Sequence, residues 1–241
     1  MKKDNIYAKP IKNIKPFQFD ENVVKVFPDM ISRSVPGYDL IITMLESITG
    51  KFVQQGSNIY DLGCSLGAAT LSIMHGINKK DCKIIAVDNS QPMIDKAKTY
   101  LDLYHSPAEI ELICDDINNI SIENASIVVM NFTLQFILPE NRKKIIQRIY
   151  DGLKPGGVLI LSEKISFEDE NRQHLNDELH LNFKKQQGYS NLEISQKRSS
   201  LENVLIRDSL NTHEKRLLDA GFSTFEMWLR CYNFVSMLAI K

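Results

Sequence analysis

The feature that most constrains the fold is a glycine turn between an apolar strand and a helix, followed by a second apolar strand that ends in a carboxylate. Residues 58–67 read Asn-Ile-Tyr-Asp-Leu-Gly-Cys-Ser-Leu-Gly, and the apolar run 84–87 leads into Asp88. Gly63 lets the backbone turn sharply where a Cβ would clash, and Gly67 lets the next helix pack close to the sheet. Asp88 can accept hydrogen bonds from both hydroxyls of a ribose. The pattern predicts a site for an adenosine-type cofactor.

The spacing of this turn discriminates between cofactors. Dinucleotide-binding turns read G-x-G-x-x-G and present bare amides to a pyrophosphate. Here the turn reads G-x-x-x-G, and Ser65 occupies the position of the middle glycine, where a side chain crowds a pyrophosphate. A cofactor without phosphates still fits, which favours S-adenosylmethionine (SAM) over NAD or a purely structural turn. The turn resembles the first motif of class I SAM-dependent methyltransferases.

Composition limits the partners of the protein. The 29 basic and 30 acidic residues give a net charge of −1, which disfavours direct binding of tRNA or DNA through phosphate contacts. No apolar run approaches the length of about 18 residues that a membrane span requires, and the N-terminus lacks the apolar core of a signal peptide. We therefore expect no membrane association and a cytoplasmic location. Four scattered cysteines without a Cys-x-x-Cys pair are expected to be structural thiols: Cys64, Cys82, Cys114 and Cys231.

Strands and helices alternate between residues 58 and 164. Runs rich in Ile, Val and Leu predict a parallel sheet covered on both faces. The predicted strands are 58–62, 83–88, 110–114, 125–132 and 158–164, and the predicted helices are 68–77, 92–104 and 139–153. Pro92 and Pro139 suit first helical turns. Pro155-Gly156-Gly157 is expected to stop the third helix before the fifth strand.

The C-terminal part of the chain distinguishes between α/β folds. A helix at 212–220 is followed by two strand-like runs, 224–232 and 234–240, with almost nothing between them. Such neighbours must be antiparallel, because a parallel return needs about a dozen residues or more. A mostly parallel, seven-stranded Rossmann-like sheet with a C-terminal antiparallel hairpin is typical of the class I SAM-dependent methyltransferase-like fold, and dehydrogenase folds lack the hairpin.

We predict a single SAM-binding domain over residues 1–241, with two additions to the sheet. Residues 1–57 are expected to form an N-terminal lid, and 165–211 a helical insertion. Leu175, Leu179 and Phe183 recur every four residues in the insertion, and such a stripe predicts a cover over the active site or a subunit contact. His174 and Glu178 share a helical face, but no third ligand accompanies them, so no metal is expected.

Two further segments are candidate ligand contacts. Asp115-Asp116-Ile117 follows the third strand, where a carboxylate can reach the exocyclic amine of an adenine and a backbone amide can pair with a ring nitrogen. Asn131 ends the fourth strand in the run Asn-Phe-Thr-Leu-Gln-Phe and is expected to contact the methionine portion of SAM. The D/N-P-P-Y/F motif that holds an amine under attack in some SAM enzymes is absent from that run.

Strings outside the predicted sheet narrow the family. They are Phe-Pro-Asp-Met-Ile-Ser-Arg-Ser-Val-Pro-Gly-Tyr at 27–38, Gly-Tyr-Ser at 188–190, Ser-Gln-Lys-Arg at 195–198 and Leu-Glu-Asn at 201–203. With them, and with Gly-Cys-Ser in the turn, the chain resembles the bacterial carboxy-S-adenosyl-L-methionine synthases from about residue 17 to residue 241.

The resemblance implies an enzyme that converts SAM and prephenate to carboxy-S-adenosyl-L-methionine (carboxy-SAM), phenylpyruvate and water. It also implies a homodimer, and a product that a separate carboxymethyltransferase uses to make 5-oxyacetyl-uridine at the tRNA wobble position. The implied ligand contacts are Tyr38, Gly63, Cys64, Ser65, Asp88, Asn89, Asp116, Ile117, Asn131 and Arg198. Arg198 is also assigned an electrostatic catalytic role, and no protein base is required.

Two alternatives remain from the sequence. One is an ordinary SAM-dependent methyltransferase of a small molecule or tRNA, which the missing D/N-P-P-Y/F motif disfavours. The other is a non-catalytic SAM-binding subunit, which the presence of Asp88 disfavours.

Overall fold

A seven-stranded sheet forms the centre of the computed structural model, which describes residues 2–241. Its strands are β1 (Asn58–Leu62), β2 (Lys83–Asp88), β3 (Glu109–Cys114), β4 (Ala125–Asn131), β5 (Leu153–Lys164), β6 (Thr224–Cys231) and β7 (Phe234–Ile240). Their order is β3-β2-β1-β4-β5-β7-β6. The first five strands are parallel, and β7 runs antiparallel to both β5 and β6. The predicted mostly parallel sheet and its C-terminal hairpin are confirmed.

Helices cover both faces of this sheet. They are α1 (Glu21–Val24), α2 (Phe27–Ser34), α3 (Tyr38–Phe52), α4 (Ala68–Gly76), α5 (Gln91–Leu101), α6 (Pro139–Gly152), α7 (Glu170–Gln186), α8 (Asn191–Leu201) and α9 (Leu210–Ala220). Successive strand residues point to opposite faces, so Tyr60 packs with α6 and α9 while Ile59 packs with α3 and α4. Within residues 2–241, no helix combines the length and the apolar character needed to cross a bilayer.

The junction between α6 and β5 differs from the sequence prediction. The helix ends at Gly152, and β5 begins directly at Leu153 rather than at residue 158. Gly152 permits this tight junction because a Cβ there would lie 2.1 Å from the carbonyl oxygen of Ile122. The Pro155-Gly156-Gly157 segment does not stop the helix. It lies inside β5, where the register with β4 shifts and Gly156 adopts a φ of 73°.

The cysteines fit the predicted packing role only in part. All four thiols are free; Cys64 and Cys82 are buried, Cys231 is half-buried and Cys114 is exposed. Cys114 is the last residue of β3, an edge strand that has a neighbour, β2, on one side only, so this thiol lies at the border of the sheet. The prediction that it packs as a small apolar residue is wrong.

The helix α7 buries a polar face within the chain, and the predicted apolar stripe is largely left on the surface, where its expected role as a subunit contact stays a prediction. Leu175 is 54% exposed, and Phe183 is only half-buried. Asn176 and His180 are buried instead. The side chain of Asn176 donates to the carbonyl oxygen of Arg172. The Nε2 atom of His180 lies 2.8 Å from the carbonyl oxygen of Ser34. Hydrogen bonding to nearby backbone is what allows these polar side chains to face inward.

The N-terminal segment and the insertion form one structural unit. The side-chain amide of Gln196 in α8 donates to the carbonyl oxygens of Tyr7 and Lys9 and accepts from the amide of Ile11. Asp4 is buried, and its carboxylate accepts a hydrogen bond from the hydroxyl of Tyr189. We call residues 4–34 together with α7 and α8 the cap. The two additions to the sheet therefore form a continuous cover.

The α6–β5 junction yields a stability prediction. Gly152→Ala should lower the free energy of unfolding by about 1–3 kcal/mol, because the added methyl group must displace backbone. Urea unfolding followed by circular dichroism measures this change. Gly50→Ala in α3 is the matched control, since its Cβ would meet no atom nearer than 3.4 Å and alanine favours a helix by up to about 1 kcal/mol. Equal stability of Gly152→Ala and wild type would contradict the assigned constraint.

Candidate active site

A cavity of about 1650 Å³ lies at the carboxyl ends of the parallel strands and beneath the cap. It is centred where the strand order reverses, between β1 and β4, which is the usual ligand position in open α/β sheets. The structure brings all ten predicted contact residues to its wall: Tyr38, Gly63, Cys64, Ser65, Asp88, Asn89, Asp116, Ile117, Asn131 and Arg198. All ten residues thus line the same cavity, and the role of each residue stays a prediction.

The glycine turn adopts a conformation that its sequence permits. Gly63 has a φ of 85°, and a Cβ on it would lie 2.3 Å from the Oγ1 atom of Thr133. The amides of Gly63 and Cys64 both donate to the carbonyl oxygen of Val87. Ser65 also has a positive φ, of 52°. The turn is therefore held tightly against both neighbouring strands, β2 and β4.

Asp88 is fixed by two backbone amides. Its Oδ2 atom accepts from the amide of Ser65 and its Oδ1 atom from that of Ser90, each at 2.9 Å. Burial raises the pKa of Asp88, and the two amide bonds oppose that rise. Each carboxylate oxygen accepts more than one hydrogen bond. The side chain therefore remains able to receive two ribose hydroxyls in a fixed orientation.

The loop after β3 presents a second carboxylate. The Oδ1 atom of Asp116 accepts from both the amide and the side chain of Asn118, at 2.8 and 2.7 Å. These bonds orient Asp116 at the start of a short 3₁₀ turn, Ile117–Asn119, in which Ile117 is buried. This geometry is suited to an adenine, with a hydrogen-bond acceptor beside an apolar contact.

The cavity floor contains buried oxygens without a partner. Thr70 donates to the Oδ2 atom of Asp61 at 2.6 Å, but within residues 2–241 the Oδ1 atoms of Asp61 and Asn131 accept no hydrogen bond. Burial raises the pKa of Asp61 to about 6. An unpaired buried acceptor is costly unless a ligand satisfies it. The pair fits the ammonium group of an amino acid, such as the methionine portion of SAM.

Asp61 was not singled out by the sequence analysis as a ligand contact. It is the acidic residue of the Asp-x-Gly-x-x-x-Gly turn itself, so the signal was present in the motif. Its hydroxyl partner Thr70 and its cavity-facing oxygen become visible only in the folded chain.

The opposite wall of the cavity is basic. Arg198 lies on it, and no acidic side chain within residues 2–241 forms a salt bridge with this guanidinium. The adjacent Lys197 differs, because its ammonium contacts the Oγ atom of Ser34 at 3.0 Å and the Asp4 carboxylate at 3.9 Å. Arg198 is thus the cation of this pair that is free for a ligand anion.

A resident metal has no visible ligand set. Among residues 2–241, no cluster of three or more His, Cys, Asp or Glu side chains is arranged to hold an ion. His174 and Glu178 line the cavity but are exposed, with 3.8 Å between their nearest charged atoms. This exposure supports the interpretation that His174 and Glu178 lie on a solvated face of α7.

Comparison with known proteins identifies the family. Residues 59–157 match the model of a methyltransferase domain. A carboxy-S-adenosyl-L-methionine synthase from Mannheimia succiniciproducens is 55% identical over 241 residues and all of both chains. Another, from Psychromonas ingrahamii, is 57% identical over all of this chain and 99% of the relative. This chain belongs to the carboxy-S-adenosyl-L-methionine synthase family.

A solved structure confirms the fold of this chain. Human N-acetylserotonin methyltransferase, determined in complex with SAM, is similar with a TM-score of 0.61 and 18% identity. The match covers 92% of this chain and 55% of the human chain. At that identity the likeness supports the class I methyltransferase architecture and nothing finer.

The position of Asp88 yields a binding prediction. Asp88→Ala should weaken SAM binding by roughly 1.5–3 kcal/mol, since charge-assisted hydrogen bonds to the ribose are lost. Isothermal titration calorimetry measures this change. The control is Asp95→Ala, which removes an exposed carboxylate on α5 outside the cavity and should leave the affinity unchanged. An unaltered SAM affinity in folded Asp88→Ala would contradict the assigned ribose contact.

Proposed function

We propose that the protein converts SAM and prephenate to carboxy-SAM, phenylpyruvate and water. The single observation that carries this proposal is Arg198, an unpaired guanidinium on the wall of a cavity suited to SAM. Carboxy-SAM differs from SAM by a carboxylate on the transferred carbon, and a methyltransferase has no need for a cation at that place. The family membership supports the formation of carboxy-SAM, because the relatives are named carboxy-S-adenosyl-L-methionine synthases.

The chemistry explains why a cation can serve in place of a protein base. Prephenate becomes aromatic when it loses CO₂ and hydroxide, which drives the reaction forward. The hydroxide takes a proton from the methyl group beside the positive sulfur of SAM and becomes water. The methyl carbon then forms a bond to CO₂, so the transferred carboxylate comes from prephenate. Atoms and charges balance without an added oxidant or reductant.

The protein's contribution to this scheme is enclosure and charge. The cap covers the cavity and limits the loss of CO₂ to solvent. Fixed cations stabilise negative charge more strongly in a water-poor site than in bulk solvent. We infer that Arg198 pairs with the new carboxylate, because a guanidinium matches a carboxylate in a two-pronged geometry that lysine does not reproduce.

The proposal extends to the protein's partners. Carboxy-SAM would pass to a separate carboxymethyltransferase that modifies the tRNA wobble uridine, and the net charge of −1 is consistent with an enzyme that does not bind the tRNA itself. A cytoplasmic homodimer is the state that the family resemblance implies. Leu175 is 54% exposed on α7 and offers apolar surface for such a contact.

The reaction itself is the first test. Purified protein given SAM and prephenate should release phenylpyruvate and form carboxy-SAM, a species heavier than SAM by one CO₂ unit. Mass spectrometry of the reaction, and of any ligand that copurifies, measures both products. Methylation of tRNA without any need for prephenate would contradict the proposal and favour a methyltransferase.

Arg198 provides the test of specificity. Arg198→Ala should keep most of the SAM affinity but lower carboxy-SAM affinity by about 1–2 kcal/mol, because it removes the charge pair between the new carboxylate and a guanidinium that is exposed in the free protein. Calorimetry with each ligand measures the difference. Arg172→Ala, on the exposed start of α7, is the matched control. Equal weakening of both ligands would show that Arg198 serves the fold or the shared methionine portion.

A further inference from the structure

The basic wall of the cavity contains more positive charge than one carboxylate requires. Lys164, Lys184, Arg198 and Arg207 all line it. Asp177 lies among them, but it is already engaged: it pairs with Arg207 at 3.3 Å and accepts from the side chains of Gln173 and Asn233. Within residues 2–241, neither Lys164 nor Lys184 forms a salt bridge with an acidic side chain. Two ammonium groups therefore remain for a ligand.

Lys164 is positioned without being neutralised. It is the last residue of β5, and its Nζ atom lies 3.3 Å from the Nδ1 atom of His180. The Nε2 atom of His180 faces the carbonyl oxygen of Ser34 at 2.8 Å. A carbonyl can only accept, so Nε2 holds the ring proton and Nδ1 accepts from Lys164. Burial and the neighbouring Lys164 charge keep the pKa of His180 far below its ordinary value, so the imidazole stays neutral.

Lys184 belongs to the same face as this histidine. His180 and Lys184 are four residues apart on α7 and therefore lie one helical turn from each other on one side. The proximity of the positive groups has an electrostatic consequence: burial, followed by the charges of Arg207 and Lys184, lowers the pKa of Lys164 to about 7. Burial and the charge of Arg198 lower that of Lys184 to about 8. An anion bound between such groups relieves their mutual repulsion.

The substrate of the proposed reaction carries two carboxylates with different fates. The ring carboxylate of prephenate leaves as CO₂ and reappears on the transferred carbon, where Arg198 is assigned to it. The pyruvyl carboxylate stays on the molecule and is still present in phenylpyruvate. One cation cannot remain paired with both carboxylates, because the two groups separate during the reaction.

We propose that Lys164 and Lys184 form the subsite for the carboxylate that the second substrate retains, the pyruvyl carboxylate of prephenate. This inference rests on the proposed function. The surroundings suit the rest of that molecule, since the rings of Phe132 and Phe234 pack edge to face at 6.0 Å on the same wall. The Phe234 ring also lies 5.4 Å from the Nζ atom of Lys164. An apolar ring beside a fixed ammonium matches a cyclohexadiene that carries a short acidic side chain.

Phenylpyruvate separates this role from that of Arg198, because it has the retained carboxylate and lacks the transferred one. Lys184→Met and Lys164→Met should each raise the KM for prephenate by about tenfold or more, the equivalent of one weakened charge pair. Both should weaken binding of phenylpyruvate to the SAM-loaded enzyme by a similar factor. SAM affinity should stay within about twofold of wild type. Arg198→Ala should retain phenylpyruvate binding.

The chain offers a matched control in Lys185, which is the next residue on α7, is exposed and does not line the cavity. Lys185→Met should leave the KM for prephenate and the binding of phenylpyruvate unchanged. Lys184 is only half-buried, so Lys184→Met decides the matter if Lys164→Met fails to fold, as judged by circular dichroism.

Two different failures are distinguishable in this experiment. If wild-type protein releases no phenylpyruvate from SAM and prephenate, the proposed function is wrong. If wild type is active, but folded Lys184→Met keeps both the KM for prephenate and the affinity for phenylpyruvate, the subsite is wrong. Equal weakening of SAM and phenylpyruvate would also overturn it, since the lysines would then act on the whole cavity.

Discussion

The close approach of Gly63 to Thr133 is the constraint on which the site depends. The strands β1 and β4 are paired neighbours, but the chain leaves their carboxyl ends in opposite directions because the strand order reverses there. The space between these two connections becomes a cavity only if the turn after β1 folds back sharply. A Cβ on Gly63 would lie 2.3 Å from the Oγ1 atom of Thr133, so any other residue would force Thr133, in the loop after β4, to move. The same turn positions the amide of Ser65 to donate a hydrogen bond to the Asp88 carboxylate. The absence of a Cβ on Gly63 thus helps to orient Asp88 and shapes the cavity floor.

The cap depends on a second set of interactions, which are polar and buried. Arg142 is fully buried in α6, and its guanidinium bonds the carbonyl oxygens of Ile137, Gln135 and Ile206. It also pairs with Asp208 at 2.7 Å, and Asp208 pairs with Arg216 of α9 at 2.6 Å. This network joins the loop after β4 to the segment that leaves the cap. Removal of one member would leave a buried charge unpaired, which is far more costly than the pair is stabilising.

Sequence reasoning succeeded where a local rule decides the structure and failed where the folded environment decides it. Strand periodicity and the short C-terminal connection predicted the sheet because they act on neighbouring residues. The inward face of α7 was not predicted: the helix turns His180 inward because Lys164 and the carbonyl oxygen of Ser34 provide partners for it, whereas the subunit contact expected of the Leu175 stripe stays a prediction. Asp61 and Lys164 were missed as ligand candidates for the same reason. No local pattern shows which polar side chain will lack a protein partner.

The charges of the cavity explain how a nearly neutral chain can arrange two charged molecules. Acidic groups are located on the strand ends of one half of the sheet, with Asp61 and Asp88 below the glycine turn. Basic groups come from β5 and the cap, with Lys164 and Arg198. The proposed substrates complement these walls, since the cationic ammonium and sulfonium of SAM would be attracted to the first wall and a dicarboxylate to the second, which would orient each substrate before reaction. The cap supplies Lys184 and Arg198 of the basic wall, so the same segments that cover the cavity also provide part of its anion site. Residues 165–211 contribute Lys184, Arg198 and Arg207 to this wall, and these cations make a carboxylate a suitable second ligand.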